Sequence, residues 1–156
     1  KKDVSGKSLL GYYLIKKGDF AYNRSYSNGY PLGAIKKLEK YEKGVVSTLY
    51  LCFRPKSNEQ IDSDFYMHFF EAGGLNQEIS KIAQEGARNH GLLNVSVSDF
   101  FAVMIPQPRI QEQRAIAKQL NMLNSELDLL NTKQTLLQKQ KKGLMQKLLT
   151  GKIGIN

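Results

Sequence analysis

Apolar residues recur at alternating steps of three and four through the last third of the chain. Two interleaved series advance by seven residues each, and eight of their ten positions are apolar. The spacing is typical of a coiled-coil seam, so the sequence predicts one helix over about 110–149. The seam residues are Ile116, Leu120, Leu123, Leu127, Leu130, Leu137, Leu144 and Leu148.

The sequence predicts no second helix of similar length that could pair with this one. It would extend roughly 60 Å, and no other segment carries a comparable heptad pattern. The pattern therefore favours assembly with another polypeptide over an intramolecular bundle. Gln134 and Lys141 interrupt the second series, where they either set the register or mark the end of the seam. A weaker apolar stripe, Met122, Leu129 and Leu136, lies beside it.

Shorter apolar segments predict a small body upstream of the helix. Residues 9–15 and 20–23 are predicted as two short strands separated by a Lys-Gly-Asp turn. Residues 45–53 are the strongest strand candidate, because they are rich in β-branched and aromatic side chains. Their near-continuous apolar character predicts a central strand buried on both faces.

Two helices and two closing strands are predicted after that strand. Asp62 or Ser63 can cap a helix that reaches about Ala72, before a glycine pair, and a second helix is predicted over 75–83. Residues 92–97 and 101–105 are predicted as strands, and two prolines then separate the body from the long helix.

These elements predict an α+β fold, in which a small mixed α/β globule precedes one long C-terminal coiled-coil helix. The predicted domains are 1–105 and 106–156, the second comprising the helix and a short tail. Since Lys1-Lys2-Asp3 leads directly into the first predicted strand, we expect the N-terminal part of the first domain to be missing from this sequence.

Positive charge is distributed over both parts of the chain. The net charge is +9; residues 1–109 carry 15 Lys and Arg against 11 Asp and Glu, and residues 110–156 carry 8 against 3. A basic protein favours a polyanionic partner. Without an apolar run of about eighteen residues, nucleic acid is favoured over a membrane.

Cysteine usage indicates a reducing environment. Cys52 is the single cysteine, so no disulfide can form within the chain. With no recognisable signal peptide, a cytoplasmic location is expected. The apolar run around Cys52 is typical of a buried structural thiol rather than a nucleophile.

The sequence contains no motif that supports catalysis. It has no phosphate-binding glycine loop, no dinucleotide fingerprint and no metal-ligand spacing of His and Cys. His68 is interpreted as a packed or surface histidine. His90 lies in a polar loop, without a paired nucleophile or carboxylate from which to build a general base.

Two polar loops combine side chains that suit DNA contact. Arg and Asn can pair with guanine and adenine, whereas Lys, Ser and Tyr commonly hold phosphates. Because loops are ordinarily polar, a solvated loop is the competing interpretation. The predicted DNA-binding residues are Tyr22, Asn23, Arg24, Ser25, Tyr26, Lys36 and Lys37 in the first group, and Arg88, Asn89 and His90 in the second.

Distinctive motifs bracket the heptad helix. Residues 105–108 read Ile-Pro-Gln-Pro, residues 112–117 read Glu-Gln-Arg-Ala-Ile-Ala, and residues 142–152 follow at the far end. These motifs resemble the entry and exit of the conserved spacer helix in specificity (S) subunits of Type I restriction-modification enzymes. The body resembles the later part of a target recognition domain of that family, at residues 17–23, 33–36, 46–50 and 85–89.

The resemblance implies a DNA sequence-recognition and assembly subunit without catalytic residues. The body would read one half of a bipartite target in double-stranded DNA, and the helix would dock methyltransferase (M) subunits. A restriction and translocation (R) subunit would join the full complex. No cofactor is expected on this chain, whereas S-adenosylmethionine and ATP are expected on the partner subunits.

The chain departs from a typical S subunit, which has two recognition domains and two spacer helices. It is therefore either a fragment of a longer subunit or a half-subunit that associates with a copy of itself through the spacer. An alternative function is a coiled-coil oligomerisation adaptor whose body binds protein rather than DNA.

Overall fold

A computed structural model describes residues 11–56, 60–85 and 93–154. Small sheets and short helices precede one long C-terminal helix, which confirms the predicted α+β class. The strands are β1 (Tyr12–Lys16), β2 (Phe20–Asn23), β3 (Ala34–Lys37), β4 (Lys43–Ser47), β5 (Leu51–Phe53), β6 (Gln84–Glu85) and β7 (Leu93–Asn94). The helices are α1 (Ser63–Glu71), α2 (Asn76–Ile82), α3 (Val97–Ala102) and α4 (Ile110–Leu149).

The chain divides into two units, residues 1–114 and 115–156. The first contains the sheets, α1 to α3 and the first turn of α4, and the second contains the remainder of α4. The predicted domain boundary after residue 105 stays a prediction. In the described part of the chain, no helix is both long and apolar enough to cross a membrane.

Strand β2 organises the core of the first unit. It is central in an antiparallel sheet of order β3-β2-β5. Phe20 and Tyr22 point to one face of β2, as strand geometry requires, and both are fully buried, whereas Ala21 and Asn23 between and after them are half-buried. Their rings stack on Phe53 at 5.4 Å and on Phe100 at 5.3 Å between centroids. This aromatic layer joins the sheet to α3.

The prediction of one central strand over residues 45–53 is wrong. The segment divides into β4, which pairs with β1, and β5, which lies at a sheet edge. Between them, Tyr50 N donates to Ser47 O at 3.0 Å and Leu49 N donates to Ser47 Oγ at 3.3 Å. A serine that accepts backbone hydrogen bonds favours a turn, which apolar content alone does not reveal.

The two predicted central helices are confirmed as α1 and α2. Asp62 Oδ1 accepts hydrogen bonds from Asp64 N at 3.1 Å and Phe65 N at 2.9 Å, which caps α1. Gly73, with φ of +76°, then supplies the left-handed backbone that ends the helix.

The predicted closing strand over residues 101–105 is also wrong, because residues 97–102 form α3. Ser96 Oγ accepts from Asp99 N at 3.0 Å and caps this short helix. Helical rotation buries Phe100 and leaves Phe101 exposed. The earlier closing strand is observed only as the two residues of β7.

A buried glutamine joins the proline segment, residues 105–108, to α1. Gln113 is fully buried; its Oε1 accepts from Asp62 N at 2.9 Å, and its Nε2 donates to Pro108 O at 2.7 Å and Gln60 O at 3.1 Å. Tyr66 Oη adds a hydrogen bond of 3.1 Å to Pro106 O. These bonds satisfy the polar groups of the buried amide and hold the first turn of α4 against the cap of α1.

Replacing Gln113 by Ala is expected to lower the free energy of unfolding by about 3 kcal/mol, because three hydrogen bonds from a fully buried side chain to the backbone are lost. Urea unfolding of the chain measures the change. Gln111→Ala, at an exposed position of the same helical turn, is the matched control and should change stability by less than about 0.5 kcal/mol. Equal losses in the two variants would refute the role of the buried amide.

Candidate nucleic-acid interface and assembly seam

Tyr22 supports the first predicted loop from within the core. Its hydroxyl donates to Leu32 O at 2.8 Å, and burial raises the pKa of Tyr22 to about 12. Gly33 packs on the ring: a Cβ there would lie 2.7 Å from the Tyr22 side chain and 2.2 Å from Asn23 O. We leave Tyr22 out of the proposed interface, since its fully buried side chain has no surface to offer DNA.

Arg24 connects two backbone segments of the first unit. Its Nε and Nη2 donate to Leu49 O at 3.2 and 3.0 Å, and its Nη1 donates to Val95 O at 3.1 Å. Every nitrogen of the guanidinium is therefore hydrogen-bonded to main chain. This arrangement favours a structural role for Arg24 over base reading.

Asn23, Ser25 and Tyr26 lie at or near the surface beside Arg24. The side-chain oxygen of Asn23 accepts from Ser25 N at 3.1 Å, which is the local bond of an Asx turn. Tyr26 is 65% exposed. Of the first predicted group, these three residues remain the ones best placed to meet a ligand.

The two predicted phosphate-binding lysines are paired with carboxylates. Lys36 Nζ contacts the carboxylate of Glu71, and Lys37 Nζ contacts Asp64 and, at 3.3 Å, Glu39. Only 7% of the Lys37 side chain is exposed. A phosphate at this face would have to compete with neighbouring acidic groups, so the face offers little net attraction to DNA.

The second predicted group, Arg88, Asn89 and His90, lies outside the described residues. The structure describes the strands on either side in sequence, β6 and β7, which pair antiparallel with Glu85 opposite Leu93. The DNA-binding role of the three residues stays a prediction.

A groove in the first unit contains an arginine that the sequence analysis did not select. The groove has a volume of about 490 Å³, and its lining includes Tyr13, Thr48, Tyr50, Arg54 and Phe101. No local pattern marks Arg54, because it follows a strand and its acidic partner lies 35 residues earlier.

That partner, Asp19, is held in place on two sides. Its carboxylate binds Arg54 through Nε at 2.5 Å and Nη2 at 2.8 Å, and it also accepts from Lys16 N at 2.8 Å. The bond from Arg54 keeps the pKa of the Asp19 carboxyl below its ordinary value of 3.8 despite burial, and raises the pKa of Arg54. The pair is therefore ionised at neutral pH.

Cys52 also lines this groove and is half-buried. Burial raises the pKa of its thiol, which disfavours the nucleophilic thiolate. The environment is consistent with the structural role expected for this residue.

The predicted assembly seam forms a row of exposed apolar side chains along α4. Seven of its eight residues are exposed, from 37% at Ile116 to 57% at Leu127, and Leu148 is half-buried. In the weaker stripe, Met122, Leu129 and Leu136 are 58%, 71% and 60% exposed. Contiguous apolar surface of this kind is typical of an interaction site.

Comparison with known proteins relates both units to one kind of protein. No protein-family model matches the chain. Over 149 residues it is 29% identical to the Type I restriction enzyme MjaVIII specificity subunit of Methanocaldococcus jannaschii, an alignment that covers 91% of this chain and 32% of that protein. The resemblance to Type I specificity subunits is confirmed. Since 91% of the chain exceeds either unit alone, the similarity includes the body and the helix.

A second relative has the same kind of name. Over 61 residues the chain is 34% identical to the putative Type I restriction enzyme MjaX specificity subunit of the same organism, covering 39% of this chain and 14% of that protein. The chain therefore spans about a third or less of the length of the specificity subunits that it matches.

Arg24→Ala is expected to lower the free energy of unfolding by about 1–2 kcal/mol, since the carbonyl of buried Val95 loses its donor. Thermal or urea unfolding measures this loss, with exposed Lys40→Ala as the control. Unchanged stability together with lost DNA discrimination would restore Arg24 to the base-reading role predicted from the sequence.

Proposed function

We propose that the chain serves as a DNA sequence-recognition and assembly subunit of a Type I restriction-modification complex. The observation that carries the proposal is the similarity to a specificity subunit over 91% of the chain, which includes both the body and the helix. The net charge of +9 supports a polyanionic partner.

The body reads one half of a bipartite target in double-stranded DNA. The surface position of Asn23, Ser25 and Tyr26 supports this role, as does the groove beside Arg54. Arg88, Asn89 and His90 remain candidate contacts. Tyr22, Arg24 and Lys37 act by holding the loops and sheet in place, because their polar groups are bonded within the body.

The helix assembles the complex and sets the spacing between half-sites. Its seam buries apolar surface against a second spacer helix, supplied either by another part of a longer subunit or by a second copy of this chain. Methyltransferase subunits dock along the helix, and the restriction and translocation subunit joins them. The exposed seam and second stripe support more than one neighbour.

Chemistry belongs to the partner subunits in this proposal. S-adenosylmethionine binds to the methyltransferase subunit and ATP to the restriction and translocation subunit, while this chain supplies sequence selection without catalytic residues. Its contribution to the reaction is the binding energy that places a target adenine within reach of the methyltransferase.

A second candidate function is a coiled-coil adaptor whose body binds protein. The pairing of Lys36 with Glu71 and of Lys37 with Asp64 favours it, because those lysines are neutralised within the body. The two functions differ in salt dependence: DNA binding that releases counterions weakens steeply as salt rises, whereas an apolar protein interface does not.

The proposal is tested by co-purifying the chain with its methyltransferase partner and mapping the adenines that the complex methylates. We expect methylation at one bipartite sequence with a nonspecific gap, because the bodies would read separated half-sites. A preparation of the methyltransferase without this chain is the control. Sequence-independent methylation, equal with and without the chain, would reject the recognition role.

Leu123→Asp combined with Leu130→Asp is expected to abolish assembly through the helix, since charges buried in an apolar seam cost several kcal/mol. Light scattering after size-exclusion chromatography measures the mass of the complex. Ser125→Asp with Thr132→Asp adds the same charges on the opposite side of the helix and should leave assembly intact. Unchanged mass in the leucine variant would contradict the seam assignment.

A further inference from the structure

We infer that Arg54, oriented by Asp19, binds a paired hydrogen-bond acceptor of DNA in the groove of the first unit. The acceptor is either the O6 and N7 edge of a guanine or two oxygens of a backbone phosphate, which share the geometry that a guanidinium recognises. The inference rests on the proposed function and identifies a contact residue for it.

Of the two residues in the Asp19–Arg54 ion pair, one is buried and the other is exposed. The Asp19 side chain is 8% exposed, whereas the Arg54 side chain is 62% exposed. The carboxylate is therefore fixed inside the body, with Lys16 N as a further donor to it, and the guanidinium faces solvent. An arginine held in this way loses little side-chain entropy when a ligand binds.

Within the described residues, the hydrogen bonds to Asp19 leave one edge of the Arg54 guanidinium available. A guanidinium carries five N–H donors, and Asp19 receives one from Nε and one from Nη2. The remaining Nη2 donor and one Nη1 donor lie along the end of the group, parallel to each other. This end-on pair matches the two acceptors of guanine or of phosphate.

The surroundings of Arg54 suit nucleic acid. Tyr13 and Phe101, 48% and 58% exposed, supply aromatic surface, and Thr48 supplies an exposed hydroxyl. Among the described residues of the lining, there are two arginines and one carboxylate, that of Asp19. Arg24 cannot substitute for Arg54, since all of its nitrogens donate to backbone carbonyls.

The test uses the chain in complex with its methyltransferase subunit and a double-stranded DNA library with a randomised core. Arg54→Lys keeps the positive charge but loses the planar fork, so affinity for the preferred sequence should fall about tenfold. Arg54→Gln removes the charge as well. Exposed Lys40→Gln is the control for loss of one charge and should retain the wild-type sequence preference.

Modified DNA distinguishes the two sources of the acceptor. If guanine is bound, 7-deazaguanine at one position weakens the wild-type complex about tenfold, and the Arg54→Lys complex ignores that change. If phosphate is bound, a neutral methylphosphonate at one position weakens the wild-type complex about tenfold instead. Arg54→Gln then lowers affinity for all sequences and reduces the salt dependence by about one counterion. Either result supports the site.

If both Arg54 variants keep the affinity, sequence preference and salt dependence of the wild type, the inference is overturned and the proposed function stands. A wild-type complex that enriches no duplex sequence would overturn the proposed function, and this contact with it. Thermal unfolding verifies that each variant is folded. If Arg54→Gln fails to fold, the modified duplexes with the wild-type and Arg54→Lys complexes still decide the question.

Discussion

The first unit depends on satisfying polar groups that its own packing buries. In the first turn of α4, the amide of Gln113 bonds to Pro108 O and to the backbone of Gln60 and Asp62, so that one buried side chain joins segments 51 to 53 residues apart. Without these partners the amide would cost free energy instead of stabilising the fold. The same requirement, that every buried donor and acceptor be paired, explains which residues of the body are free to act outside it.

This requirement separates residues that resemble DNA contacts from residues able to make them. Arg24 and Lys37 have the chemistry of base and phosphate binding, yet the fold uses Arg24 to join two loops and Lys37 to join β3 to α1. Arg54 has the opposite arrangement, because its buried partner fixes one edge and leaves the other toward solvent. Similar side chains thus differ in which of their donors the fold already uses.

The long helix presents a different physical problem, because its apolar seam is largely uncovered in the single chain. Apolar surface of that extent is costly in water, and an apolar partner surface would remove the cost. The chain aligns with about a third of the MjaVIII specificity subunit. Under the proposed function, recognition belongs to the body and assembly to the long helix.

Features encoded by neighbouring residues were predictable from the sequence. The heptads give α4, Asp62 and the glycine pair give α1, and apolar spacing gives α2. Sheet order was not predictable, since an apolar run does not reveal the turn made by Ser47 or that β2 rather than the later segment is central. The candidate site was predictable in its residue types but not in its members: Arg54 meets Asp19 across 35 residues and Lys37 meets Asp64 across 27. Helix caps, turns and periodic patterns depend on residues close together in the sequence, so the sequence determines them. The partner of a charged side chain depends on tertiary packing, because that packing brings distant segments together.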